Sequence, residues 1–94
     1  MVRINDAKAV ISLMQKEFDS HDFIKQYIAS YPAEYISGLA RNRQVRVAVR
    51  ELDRQIGMFL AKHDDDLYIE RIGDSESENI LTNITPCALW RRTQ

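Results

Sequence analysis

Five arginines, Arg41, Arg43, Arg46, Arg50 and Arg54, crowd into fourteen residues with no lysine among them. A solvated face would be served as well by lysine. The planar guanidinium fork is what grips a phosphate, or the edge of a guanine, through two parallel hydrogen bonds. Arg46, Arg50 and Arg54 are four residues apart, so a helix lines them up. Like charges at that spacing repel by about a few tenths of a kcal/mol per pair, a cost that an anionic partner relieves. The chemistry this spacing points to is polyanion binding by Arg41, Arg43, Arg46, Arg50 and Arg54, with Gln44 beside them and Arg91 and Arg92 as helpers. A protein interface and a plain solvated surface are the competing readings of the same stripe.

Other reactive residue types are sparse. Nucleophilic catalysis needs a nucleophile, a base within hydrogen-bond reach and a group that orients the base. Cys87, His21 and His63 are the residues from which such a set would be drawn. Cys87 lies among apolar neighbours, where a lone thiol reads as a small core residue. His63 continues an apolar stripe and reads as packing or ending a helix, and His21 sits at a helix start. The three glycines, Gly38, Gly57 and Gly73, make neither a phosphate loop nor a nucleophile elbow. Asp64, Asp65 and Asp66 lack the spaced oxygens, turn glycine and closing glutamate of a calcium loop, so they read as a solvated helix end. The sequence therefore points to no catalytic residue, no metal and no cofactor, and the expectation is a protein that is not an enzyme.

A helix over 45–62 must carry the arginines. Val45, Val49, Leu52, Ile56, Phe59 and Leu60 recur at steps of three and four, an inward stripe opposite Arg46, Arg50 and Arg54. The alternation of Val45, Val47 and Val49 with Arg46, Ala48 and Arg50 also fits a strand, but it stops at Leu52 while the helical stripe runs to Leu60. Upstream, Asn5 or Asp6 can cap a helix over 6–19 with Val10, Ile11, Met14 and Phe18 inward. Ser20 is a candidate cap, and Asp22 a favourable first-turn charge, for a helix over 21–31. Phe23, Tyr27, Tyr31 and Tyr35 at helical spacing read as core rather than as a platform for stacking bases. Pro32 ends that helix or opens a third, over 32–41, in which Gly38 marks a weak point or a close helix approach. A short turn at Asn42 to Gln44 then leads into the arginine helix, as in a helix-turn-helix or a general two-helix hairpin.

After the aspartates, 67–72 has the β-branched and aromatic content of a strand that Gly73 and Asp74 stop. Ser75 to Asn79 reads as a mobile loop, and Ile80, Leu81 and Ile84 as apolar enough to fold back onto the body. A second strand over 87–91 returns antiparallel, with Trp90 pinning the hairpin to the helices. The whole is a single domain over 1–94 of the α+β class, mainly α: about four helices followed by a C-terminal antiparallel hairpin.

That order of elements resembles a winged-helix domain. The resemblance implies that the long helix is the recognition helix of a small DNA-binding, transcription-regulating protein, with Gly73 to Pro86 as the wing. The same architecture also serves as a non-catalytic protein-interaction or homodimerisation module. Asp74, Glu76 and Glu78 depart from the pattern, because a wing on DNA favours basic residues.

Composition agrees with local rather than general polyanion binding. The net charge is −1. Five arginines against Glu51 and Asp53 leave residues 41–54 with three positive charges in excess, while residues 55–94 carry three negative charges in excess. An apolar content of 45% and a mean hydropathy of −0.39 suit a water-soluble fold, with no apolar run of membrane-spanning length and no signal-peptide core. One cysteine excludes an internal disulfide, and a cytoplasmic location with no membrane partner is the expectation.

Overall fold

Ala7, Val10 and Ile11 give the first helix its inward face. The computed structural model describes residues 2–40 and 44–94. In chain order it has α1 (Ile4–Ser12), β1 (Glu17–Asp19), α2 (Ser20–Ser30), α3 (Pro32–Leu39), α4 (Val45–Lys62), α5 (Asp64–Leu67), β2 (Ile69–Glu78) and β3 (Ile84–Arg92). The class is α+β, mainly helical, as the sequence indicates. The buried apolar side chains form one cluster, drawn from α1, α2, α3, α4, α5 and all three strands. Each fully buried large side chain in it contributes on the order of 1.5–3 kcal/mol.

The helix expected over 6–19 is two elements. Neither Asn5 nor Asp6 caps it: α1 begins at Ile4 behind an extended Arg3 and ends at Ser12. Glu17–Asp19 then pairs with β3, setting Phe18 opposite Trp90. The spacing of Met14 and Phe18 suits a helix, but Phe18 is buried by a cross-strand neighbour that no local pattern reveals. Asp19, not Ser20, caps α2. Its carboxylate accepts the Asp22 amide at 2.9 Å, and the Asp22 carboxylate accepts the Asp19 amide at 3.1 Å. A reciprocal capping box of this kind contributes on the order of 1 kcal/mol.

Pro32 opens α3 at its first position, where the missing amide hydrogen costs nothing. Gly38 marks a close approach of α3 to α4, since a Cβ there would lie 2.9 Å from Leu52 Cδ2. Asn42, in the expected turn, lies outside the described residues. α4 is a helix from Val45 onward, with Ala48, Val49, Leu52, Ile56 and Leu60 buried. Val45 departs from the expected stripe: it is 68% exposed, and Val47 is 45% exposed. The first turn of α4 runs past the core that receives the later turns. His63 ends the helix with its ring 4.6 Å from that of Phe59, and Asp64 to Asp66, expected as a solvated helix end, open the one-turn α5 that Leu67 closes.

The hairpin is longer than its sequence suggests. Gly73, at φ 155°, does not stop β2; it sits where the register slips between Arg71 and Gly73, a bulge that bends the strand. The run expected as a mobile loop continues the strand, with Ser75, Ser77 and Glu78 opposite Cys87, Thr85 and Ile84. The turn is confined to residues 79–83. There the Asn79 side chain accepts the Leu81 and Asn83 amides at 2.9 and 3.1 Å. Ile80 packs against the core, but Ile84 stays 67% exposed. Trp90 pins β3 as expected, fully buried with its indole donating to Ser20 Oγ at 3.0 Å. The sheet order is β1-β3-β2, all antiparallel. Among the described residues no helix is long and apolar enough to cross a membrane.

Candidate functional site

The buried stripe of α4 turns its opposite side outward, and Arg46, Arg50 and Arg54 are all exposed there. Neither Arg46 nor Arg50 makes an ion pair with a described residue. Arg54 is engaged within its own helix: it donates to Glu51 at 2.6 Å, and its other terminal nitrogen lies 3.0 Å from Met58 Sδ. Those hydrogen bonds from Arg54, with one from Gln55, hold the Glu51 carboxyl below its usual range. Gln44 stands at the position just before α4. Arg41 and Arg43 lie outside the described residues. The two C-terminal helpers are occupied, Arg91 by Glu70 across the hairpin and Arg92 by the Met14 carbonyl at 3.1 Å.

α4 and the hairpin face each other across an open cleft of about 750 Å³. Arg50 and Arg54 line it from α4; Arg71, Asn79 and Asn83 line it from the hairpin. Arg71 is paired with Asp74. His21, Cys87 and Trp90 line the cleft from α2 and β3. Glu76 and Glu78 are exposed and do not line it.

Behind the cleft lies a polar cluster. β2 alternates there, Ser75 and Ser77 half-buried and Glu76 and Glu78 exposed, so the two hydroxyls reach the start of α2. Ser75 Oγ donates to Asp19 at 3.0 Å. Ser77 Oγ is 2.8 Å from His21 Nδ1 and 3.9 Å from Cys87 Sγ, while Thr85 Oγ1 is 3.3 Å from His21 Nε2. Burial acts to raise the Asp19 carboxyl. The Asp22 amide, the Ser77 and Ser75 hydroxyls and the His21 ring outweigh it and hold the group below its usual range. Nearby, Tyr35 donates to Asp53 at 2.8 Å. Burial pushes Asp53 up, partly opposed by that bond and by His21, and burial with the Asp53 carboxylate pushes the Tyr35 phenol up strongly.

The chain matches no family model, no curated protein and no solved structure. The functional reading therefore rests on geometry alone. Sequence reasoning singled out the α4 arginines and passed over Asp19, Ser75, Ser77 and Thr85. The signal that could have found them is the period of two in Asp74-Ser75-Glu76-Ser77-Glu78, which sends alternate side chains to one face of a strand. Cys87, expected in an apolar setting, is half-buried beside His21 and Ser77 instead. Phe23, Tyr27 and Tyr35 are buried core residues, in keeping with their spacing.

Proposed function

We propose that the protein is a cytoplasmic, non-catalytic DNA-binding regulator of winged-helix type, with α4 as its recognition helix in the major groove. The observation that carries this reading is the pair of exposed guanidinium groups, Arg46 and Arg50, one turn apart and without ionic partners among the described residues. Arg46 and Arg54 stand about 12 Å apart along the helix axis, and a helix about 10–12 Å across with its side chains is what a major groove about 12 Å wide admits. Arg50 and Arg54 also face the cleft, where Asn79 and Asn83 offer neutral donors from the hairpin tip. A phosphate backbone entering along that rim avoids the outer hairpin face that bears Glu76 and Glu78. In the sequence, Arg41 and Arg43 precede Val45 and add to the basic run, with the neutral amide of Gln44 beside them.

Val45, Val47 and Met58 favour a second reading, since these exposed apolar side chains share α4 with the arginines and exposed apolar groups at a helix surface mark protein interfaces. In that reading α4 docks on a protein partner or a second copy of the chain. Fluorescence titration with duplex DNA at two salt concentrations separates the two, together with light scattering over a range of protein concentrations. Salt-sensitive binding by a monomer supports DNA recognition. A concentration-dependent dimer with no affinity for DNA, or binding indifferent to salt, overturns it.

A further inference from the structure

One ligand atom each from Asp19, His21 and Cys87 lie within 4.8 Å of one another. We propose that these three side chains form a binding site for a zinc-class divalent cation that ties the hairpin to the start of α2. The donor set is one carboxylate oxygen, one imidazole nitrogen and one thiolate, a combination suited to a borderline metal and poorly suited to calcium or magnesium. With metal bonds of about 2.0–2.3 Å, tetrahedral donors stand roughly 3.4–3.6 Å apart, so the cluster closes by about an ångström when it loads. Asp19 and His21 come from the junction of β1 and α2 and Cys87 from the middle of β3; the first two are buried, Asp19 5% exposed and His21 9%, and Cys87 is half-buried.

The second layer of contacts is arranged for this role. Ser77 lies near both His21 Nδ1 and Cys87 Sγ, so Nδ1 is the ring nitrogen that shares this neighbour with the thiol. Thr85 faces Nε2. A histidine that donates Nε2–H to the threonine oxygen presents the Nδ1 lone pair to the cation, the arrangement by which a neighbouring acceptor fixes the tautomer of a metal ligand. The Ser77 hydroxyl gives up its place at Nδ1 as the metal enters. Asp19 accepts from Asp22 and Ser75, yet a carboxylate has about four lone-pair positions and keeps room for a metal bond. Binding displaces the Cys87 thiol proton to solvent. His21 and Cys87 line the cleft between α4 and the hairpin, and the fourth coordination position is left to water or a ligand entering from that side.

Cobalt(II) is the probe, titrated into the reduced full chain without reductants that bind metal. Tetrahedral d–d bands and an intense thiolate-to-cobalt charge-transfer band are expected, saturating at one metal per chain, with zinc displacing the cobalt. Cys87 is the chain's one cysteine, so the charge-transfer band identifies it even if a variant fails to fold. Cys87→Ser abolishes that band. His21→Gln weakens binding at least tenfold, while Asp64→Asn with Asp65→Asn and Asp66→Asn leaves it unchanged. Absence of the band, half a metal per chain, or binding that follows the exposed aspartates instead of His21 overturns the site. None of these readouts depends on DNA.

Discussion

Replacing Arg46 and Arg50 together by alanine separates a nucleic-acid face from a solvated one with a calculable result. Both side chains are exposed and neither is ion-paired with a described residue, so the fold loses no ion pair among the described residues. Relief of like-charge repulsion should leave the stability unchanged or slightly higher, by about a few tenths of a kcal/mol. On DNA the loss is larger. Each phosphate neutralised adds about 0.9 to the slope of log affinity against log salt, so the double variant flattens that slope by about 1.8. Between 50 and 200 mM salt, the variant then loses about twelvefold less affinity than the parent. An arginine that reads a guanine edge adds about 1–3 kcal/mol of discrimination, which lysine at the same position does not restore even though it keeps the slope. Glu51→Gln runs the other way: it frees Arg54 from its partner and should steepen the slope by about 0.9. The assay is fluorescence anisotropy of a labelled duplex across that salt range, with circular dichroism to confirm the fold. Equal slopes for parent and double variant, with the fold intact, would refute the reasoning.

Gly57→Ala should stabilise the protein by about 1 kcal/mol, because the glycine is inside α4 and a Cβ there meets nothing within 4 Å; a thermal melt that moves down by several degrees would contradict it. Tyr35→Phe removes the donor to Asp53 and should cost about 1–3 kcal/mol in denaturant unfolding, whereas Asp53→Asn keeps an acceptor oxygen, loses the cost of a buried charge and should cost less. Asp19 is held below its ordinary value, so its stabilisation is full above the unfolded value of about 3.9 and is lost as pH falls through the lower folded one. Asp19→Asn retains the cap and should flatten the acid side of the stability curve, read by unfolding at several pH values; an unchanged acid limb would remove the assigned cause. Asp53 has the opposite sign: its carboxyl is raised by burial, so stability declines as pH rises through its folded value.

Local patterns made the long helix legible. The steps of three and four from Val49 to Leu60 place its inward face, and the bounds expected over 45–62 are those of α4. Pro32 as a helix opener, Gly38 as a close approach and Trp90 as the anchor of the hairpin were equally readable, because each depends on the residue's own geometry or size. Phe18 and Ser75 to Glu78 were not. Phe18 fits a helical stripe as well as a strand, and it became part of β1 only because Trp90 lies across from it. The serines and glutamates have the composition of a loop, and they extend β2 because β3 supplies the backbone partners while Asp19 and His21 take the hydroxyls. Val45 was misplaced for a related reason: periodicity gives the face of a helix but not how far the core beneath it extends.

What the sequence determined by itself is therefore the helical layer, the basic run at 41–54 and the class of the fold, since periodicity, capping and charge act over a few residues. Only the tertiary structure decided which of the described arginines are engaged, where the hairpin begins and ends, and that Asp19, His21 and Cys87 meet. The arginine pairs and the hairpin pairing join residues from 3 to 23 positions apart and Cys87 meets Asp19 and His21 across more than 60; in each case the outcome depends on a side chain or strand partner that hydrophobic periodicity does not encode.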